Sequence, residues 1–168
     1  MDGLTYPEIG ATRTGDLPAG YDHLRYRVRL PGGFAAAGEA VLTWRLHRAA
    51  GVAVRASAPR AEPGVTVHIG LGAGPVRLWA PCAVVWTVQD GYRAGFGYGT
   101  LAGHPERGEE AFLVSRGPNG TVWFEVTAFS RPARWFTMAA RPLTRGFQRA
   151  YARRLGRVLT RLCRDSPG

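Results

Sequence analysis

Alternation of apolar and polar positions governs most of this chain. Leu24, Tyr26, Val28 and Leu30 alternate with His23, Arg25, Arg27 and Arg29, the period of a half-buried strand. The pattern predicts a strand over residues 21–30, ended by Pro31-Gly32-Gly33. The spacing then lengthens. Phe34, Ala37, Val41 and Trp44, with Leu42 and Leu46, mark the inward side of one helix over 34–48, with Gly51 as its stop. A β region follows. Residues 52–57 read as a short strand, and Val65, Val67, Ile69 and Leu71 alternate with Thr66, His68 and Gly70, which leaves His68 in solvent. After a turn over 72–75, a long strand over 76–89 places Val76, Leu78, Ala80, Cys82, Val84, Trp86 and Val88 on one face. Pro81 within it implies an edge position or a bulge. Asp90-Gly91 is a hairpin signal.

The stretch 92–130 organises the rest. In residues 92–101, Tyr92, Ala94, Phe96, Tyr98 and Thr100 alternate with Arg93, Gly95, Gly97, Gly99 and Leu101. One face is aromatic and the other almost bare, so the sheet curls there or takes another element against the bare face. The link over 102–108 carries His104, Glu106 and Arg107 in a loop. Gly117-Pro118-Asn119-Gly120 is a three-residue hairpin turn, with Pro at the first central position and Gly in the left-handed one. That turn fixes a register in which Ser115 faces Trp123, Leu113 faces Glu125, Val114 faces Phe124, Phe112 faces Val126 and Glu110 faces Ala128. Phe112, Val114, Val122, Phe124, Val126 and Ala128 then form a core face, with Glu110 at its far end and Glu109 on the opposite, mixed face.

Ser130-Arg131-Pro132 breaks the last strand, and residues 133–140 read as a helical turn or two. Pro142 suits a first helical turn. One helix over 143–163 carries Leu143, Phe147, Tyr151, Leu155 and Leu159, with Val158 and Leu162 beside them. Arg145, Arg149, Arg153, Arg157 and Arg161 repeat two residues later, on the opposite side. The helix therefore grips something with one stripe and shows arginines on the other.

Composition changes this picture little and charge changes it more. At 168 residues and 45% apolar content the chain is one domain with a real core, preceded by an irregular segment over 1–20. No apolar run has the length of a membrane span, and the N-terminus lacks a signal pattern, so the cytoplasm is the expected location. Cys82 and Cys163 have no metal-ligand spacing and are read as reduced thiols. The net charge of +10 comes from the C-terminal segment, since residues 131–164 hold ten Arg and no acid while the remainder is nearly balanced. The basic stripe is read first as a solvated helix face; its functional reading is attraction to polyanions, either nucleic-acid phosphates without sequence preference or an anionic membrane surface.

A helix, consecutive antiparallel strands and one long C-terminal helix make an α+β plan. A bent sheet wrapped around that helix resembles the helix-grip architecture of the START and Bet v 1-like superfamily. That fold places two short helices after its first strand, where only one is read here. A nearer resemblance is to the DUF1990 family of bacterial and plant proteins (uncharacterised protein family 0548). It rests on 6–12 (YPEIGAT), 17–21 (LPAGY), 43–47 (TWRLH), 97–101 (GYGTL), 103–106 (GHPE), 108–112 (GEEAF) and 124–132. This resemblance implies no activity.

Three functions compete. The leading one is a binding module for a small hydrophobic or lipid-like molecule held between sheet and helix, with Tyr98, His104, Glu110, Phe96, Phe112 and Phe124 as ligand-binding residues. An inward carboxylate has a raised pKa unless paired. Its structural alternative is an ion pair of Glu110 with Arg45 or Arg48. The second function is acid/base catalysis on a hydrophobic substrate, of the cyclase or hydrolase type that the superfamily resemblance suggests, by Glu110 with His104 or Tyr98. The third is anion binding through Arg145, Arg149, Arg153 and Arg157. No metal site, cofactor motif or nucleophile–base–orienter trio is visible.

Overall fold

The computed structural model of the protein describes residues 3–73, 76–133 and 141–165, with side chains except at 71–73, 76–77 and 141–145. A short helix α1 (Ala11–Thr14) precedes strand β1 (Asp22–Leu30). Helices α2 (Phe34–Leu42) and α3 (Arg45–Ala49) follow, then β2 (Ala53–Ala56), β3 (Thr66–Ala73), β4 (Val76–Gln89), β5 (Arg93–Thr100), β6 (Glu106–Arg116) and β7 (Val122–Pro132). Helix α4 (Arg141–Asp165) comes last. Among the described residues the strands form one antiparallel sheet in the order β1-β7-β6-β5-β4-β3-β2. The predicted helical turns over 133–140 with Trp135, and part of the turn over 72–75, lie outside the described residues, as do the side chains of Leu143 and Arg145.

The hairpin register is the predicted one, with Glu110 opposite Ala128, Phe112 opposite Val126 and Val114 opposite Phe124. Its turn closes by Gly117 N donating to Thr121 O at 2.9 Å, with Gly120 at φ 77°. The inner face of the curved sheet carries the wholly buried Phe96, Phe112, Phe124 and Val126. Helices α2 and α4 cover it. Through the deeply buried Ala152, Leu155 and Leu159, α4 grips the sheet, while Arg149, Arg153 and Arg157 face solvent.

Several expected features take another form. The helix over 34–48 is two helices. Thr43 Oγ1 bonds back to Glu39 O at 2.7 Å, and Trp44 adopts φ 63° between them. A left-handed conformation costs a side-chain residue about 1–2 kcal/mol. Burying an indole recovers more, roughly 4–6 kcal/mol at 25 cal/mol per Å² over 150–250 Å². Trp44 is fully buried, and its indole N–H donates to Ala58 O at 3.2 Å. The pair of short helices is the one that the helix-grip plan requires.

The irregularity in β4 lies beyond Pro81. The register against β5 shifts between Val84 and Trp86, so Trp86 turns to the outer face instead of continuing the Cys82–Val84 side. Pro81 itself is inside the sheet, opposite His68, and not on an edge. It stands one step past the last β4–β5 pair, Cys82–Thr100: its carbonyl accepts from Leu101 N at 3.0 Å, but it has no N–H to return, the ladder stops there, and Leu101 O accepts from His104 N at 3.1 Å instead. Glu106 and Arg107 belong to β6 and not to a loop, and β7 runs through Ser130 to Pro132, because the two strands keep pairing to Glu106–Pro132. Phe147 is 55% exposed and outside the apolar stripe proper, since α4 has left the packed core at that turn.

The bare face of β5 is covered. A Cβ at Gly97 would collide with the Trp86 indole, and one at Gly99 with the Tyr6 ring. Only glycine allows both aromatic side chains to lie flat on that strand.

Candidate functional site

Between the sheet and the N-terminal half of α4 lies a cavity of about 470 Å³. Ile69, Ala80, Cys82, Ala128 and Phe147 give it apolar walls, and Tyr98, His104, Glu106, Glu110, Gln148 and Tyr151 supply polar groups. The wide curl of the sheet leaves this space because α4 packs tightly only from Ala152 onward.

Strand periodicity aims Glu110 and Tyr98 inward as register neighbours. The Tyr98 hydroxyl donates to Glu110 Oε2 at 2.8 Å. Among the described residues no other hydrogen bond reaches Glu110, and no ion pair joins it to Arg45 or Arg48. The guanidinium of Arg48 donates instead to Thr43 O at 3.3 Å. Burial pushes the Glu110 carboxyl up to about 7, against the lowering bond from Tyr98 and with a smaller push from Glu106. Burial, with the charge of Glu110, holds the Tyr98 and Tyr151 phenols well above their ordinary value. The Tyr151 hydroxyl is shut off from solvent and has no partner among the described residues.

Glu106 stands on the same side of β6 as Glu110, two steps of the alternation earlier. It accepts from Gln148 Nε2 at 2.9 Å, and that amide also reaches Ser130 Oγ at 3.1 Å. Burial raises the Glu106 carboxyl too. His104 sits in the preceding loop with Nδ1 at 3.0 Å from both N and O of Glu106. An amide N–H can only donate, so Nδ1 accepts and the neutral ring keeps its proton on Nε2. Burial lowers the His104 pKa to about 4.

Of the predicted ligand-binding residues, Tyr98, His104 and Glu110 line the cavity. Phe96, Phe112 and Phe124 do not. They are wholly buried in the solid part of the core, and Phe96 and Phe112 pack there against each other and the His47 ring. Glu106, Gln148 and Tyr151 were not singled out as site residues. Pro105 and Gly108 on either side of Glu106 give it the local pattern of a loop, and the other two lie far away along the chain. His47, also unforeseen, is fully buried beside Trp44 with neither ring nitrogen partnered among the described residues, and burial lowers its pKa to about 4.

The outer face of the same strand holds a second, different carboxylate. Glu109 is only 2% exposed. It accepts from Tyr6 OH at 2.8 Å, Gly10 N at 2.7 Å, Thr12 N at 3.0 Å, Trp86 Nε1 at 3.4 Å and the Thr12 hydroxyl. The segment read as irregular is thereby clamped onto the sheet. Among the described residues, no three His, Cys, Asp or Glu side chains are grouped to hold a metal ion, and no helix is long and apolar enough to cross a membrane.

The model of the Domain of unknown function (DUF1990) matches residues 5–158. A UPF0548 protein of Deinococcus radiodurans is 37% identical over 174 residues, covering 94% of this chain and 86% of that protein. Among solved structures, hypothetical protein jhp0584 from Helicobacter pylori superposes with a TM-score of 0.65 at 10% identity, covering 95% of each chain. A norcoclaurine synthase point mutant from Thalictrum, in complex with a transition state analogue, superposes with a TM-score of 0.56 at 10% identity, covering 85% of this chain and 96% of that one. At such identities the likeness is one of fold alone, and the fold is the Bet v 1-like helix grip.

Proposed function

This chain belongs to the DUF1990 family, and we propose that it is a binding module that holds a small, largely apolar molecule between its curved sheet and α4. The observation that carries this reading is the cavity of about 470 Å³ with apolar walls and a few convergent polar groups, the usual make-up of a ligand site. The unpartnered Tyr151 hydroxyl supports it, because a buried polar group without a bond costs about 1–3 kcal/mol, which a ligand can recover. Fluorescence titration with the neutral probe N-phenyl-1-naphthylamine tests it. Saturable binding is expected, weakened at least about tenfold, or 1.4 kcal/mol, when Ala128→Trp fills the cavity. If the native protein binds no such probe, the reading fails.

A second reading has its own support. Glu110, with a pKa near 7 and the Tyr98 hydroxyl at 2.8 Å, is poised to take or give a proton at neutral pH. Under this reading the bound molecule is a substrate, with Glu110 as the acid/base group and Tyr98 orienting it. A turnover that Glu110→Gln abolishes while probe binding persists would favour it over simple binding.

A further inference from the structure

The charge of the cavity wall does not match that of the chain. The protein has 22 arginines, no lysine and a net charge of +10. Yet among the described residues lining the cavity there is no arginine, while two carboxyl groups, Glu106 and Glu110, face into it from one strand. The one basic side chain there, His104, is kept neutral by burial and by its Nδ1 accepting from the Glu106 amide. Glu106 is engaged by Gln148, but only Oε2 of Glu110 is engaged, by Tyr98. Its other oxygen and the unpartnered Tyr151 hydroxyl are left as acceptors.

Resting on the reading of this cavity as a ligand site, we infer that its ligand carries a basic nitrogen on an apolar skeleton, with the ammonium seated against Glu110 and the hydroxyl of Tyr151. A buried ammonium needs a counter-charge and acceptors for its protons, and this wall offers both. An anionic ligand such as a fatty acid meets the reverse. Its carboxylate would stand beside Glu110 in a medium where two like charges do not both ionise.

The pH dependence follows from the groups around Glu110. Tyr98 from β5, Cys82 from β4, Tyr151 from α4 and Glu106 from its own strand face it, with His104 in the nearby loop. Burial holds the phenols and the thiol too high to ionise near neutrality, and His104 too low to charge there. Glu106 is raised by burial but drawn back by its bonds with Ser130 and Gln148, whereas Glu110 is raised to about 7 and is the group that titrates through neutrality. An ammonium binds its ionised form, so affinity rises with pH through 7, whereas a carboxylate ligand needs the protonated form and weakens over the same interval.

Calorimetric titration with three matched probes tests this: 2-(1-naphthyl)ethylamine, 2-(1-naphthyl)ethanol and 1-naphthylacetate. At pH 7.5 the amine should bind at least about tenfold tighter than the alcohol, and the acetate at least about tenfold weaker. Glu110→Gln should bring amine and alcohol within about threefold of each other. Should that variant not fold, the native protein still decides: amine affinity should rise about tenfold from pH 6 to pH 8, the interval centred on a pKa of 7, while alcohol affinity stays flat. Acetate binding as tight as the alcohol, or an amine affinity flat in pH, overturns the inference but leaves the cavity reading standing if the alcohol binds. No binding by any of the three sinks both.

Discussion

Glu109 and Glu110 are chemically identical neighbours on one strand, and they have opposite surroundings. Glu109 points to the outer face, where the segment from Tyr6 to Thr12 closes over it and five donors converge on its two oxygens. Glu110 points to the inner face, where one phenol meets it and the rest of its surface looks into a cavity. A saturated carboxylate has nothing left to offer a ligand, so Glu109 is a structural clamp. A carboxylate with one bond and a pKa near 7 has both an unused oxygen and an unsettled proton. Burial alone would rank Glu109 first, and the count of donors reverses that order.

The largest expected effect lies at the clamp. Glu109→Ala leaves the Thr12 amide, the Thr12 hydroxyl and the Tyr6 hydroxyl without their acceptor, at about 1–3 kcal/mol for each donor that stays buried. Chemical denaturation should show a loss of at least about 3 kcal/mol. Limited proteolysis should cut the chain before β1, since the segment has lost its anchor. A loss at Glu110→Ala as large as that at Glu109→Ala would break the comparison.

A smaller effect is expected at the glycine that lets the clamp close. Gly99→Ala puts a methyl group against the Tyr6 ring and should cost about 1–3 kcal/mol as overpacking. In a double-mutant cycle with Tyr6→Ala, which removes the whole ring, most of the Gly99→Ala loss should vanish, and that coupling would trace it to this contact.

Two titrations sharpen the contrast between satisfied and unsatisfied groups. His47 is buried without partners and its pKa is depressed to about 4. A depressed histidine contributes stability that is present above 6.5 and lost as pH falls toward 4. The slope is about 1.4 kcal/mol per pH unit for one group; His104, depressed to the same value, adds a second, so His47→Leu should remove about half of the slope in a series of denaturation curves. Glu110 runs in the opposite sense. Its pKa is raised, so its contribution is full below about 4.5 and disappears as pH rises through 7. Glu110→Gln, which cannot ionise, should therefore equal the native protein near pH 4.5 and exceed it by about 1 kcal/mol or more at pH 8. A native protein more stable at pH 8 than this variant would mean that Glu110 is better solvated than its surroundings indicate.

The smallest effect on stability belongs to the basic stripe. Replacing Arg149, Arg153 and Arg157 together by Gln should change stability by no more than about 0.5 kcal/mol per site, because all three are exposed. If the stripe binds anionic vesicles or duplex DNA at low salt, the triple variant loses that binding. Equal binding by the variant would locate the attraction elsewhere.

What the sequence determined by itself is what local geometry controls. The Gly117–Gly120 turn sets the β6–β7 register, and from the register alone Glu110 and Ala128 must share the inner face while Glu109 takes the outer one. The four-residue apolar spacing of α4 likewise foretold that Arg149, Arg153 and Arg157 would face solvent. The tertiary structure decided everything that depends on a partner distant in the chain. Trp44 breaks its helix because burial of the indole against Phe96 outweighs the left-handed strain. Trp86 leaves its predicted face through a bulge and reaches Thr12 Oγ1 at 3.0 Å, across 74 positions. The outer face of β6 reads as wet because its cover arrives from residues 6–12, and no local pattern records that arrival. The cavity is invisible for the same reason. It is the gap between two elements that touch at one end and diverge at the other, and spacing along a single strand or helix carries no information about such a distance.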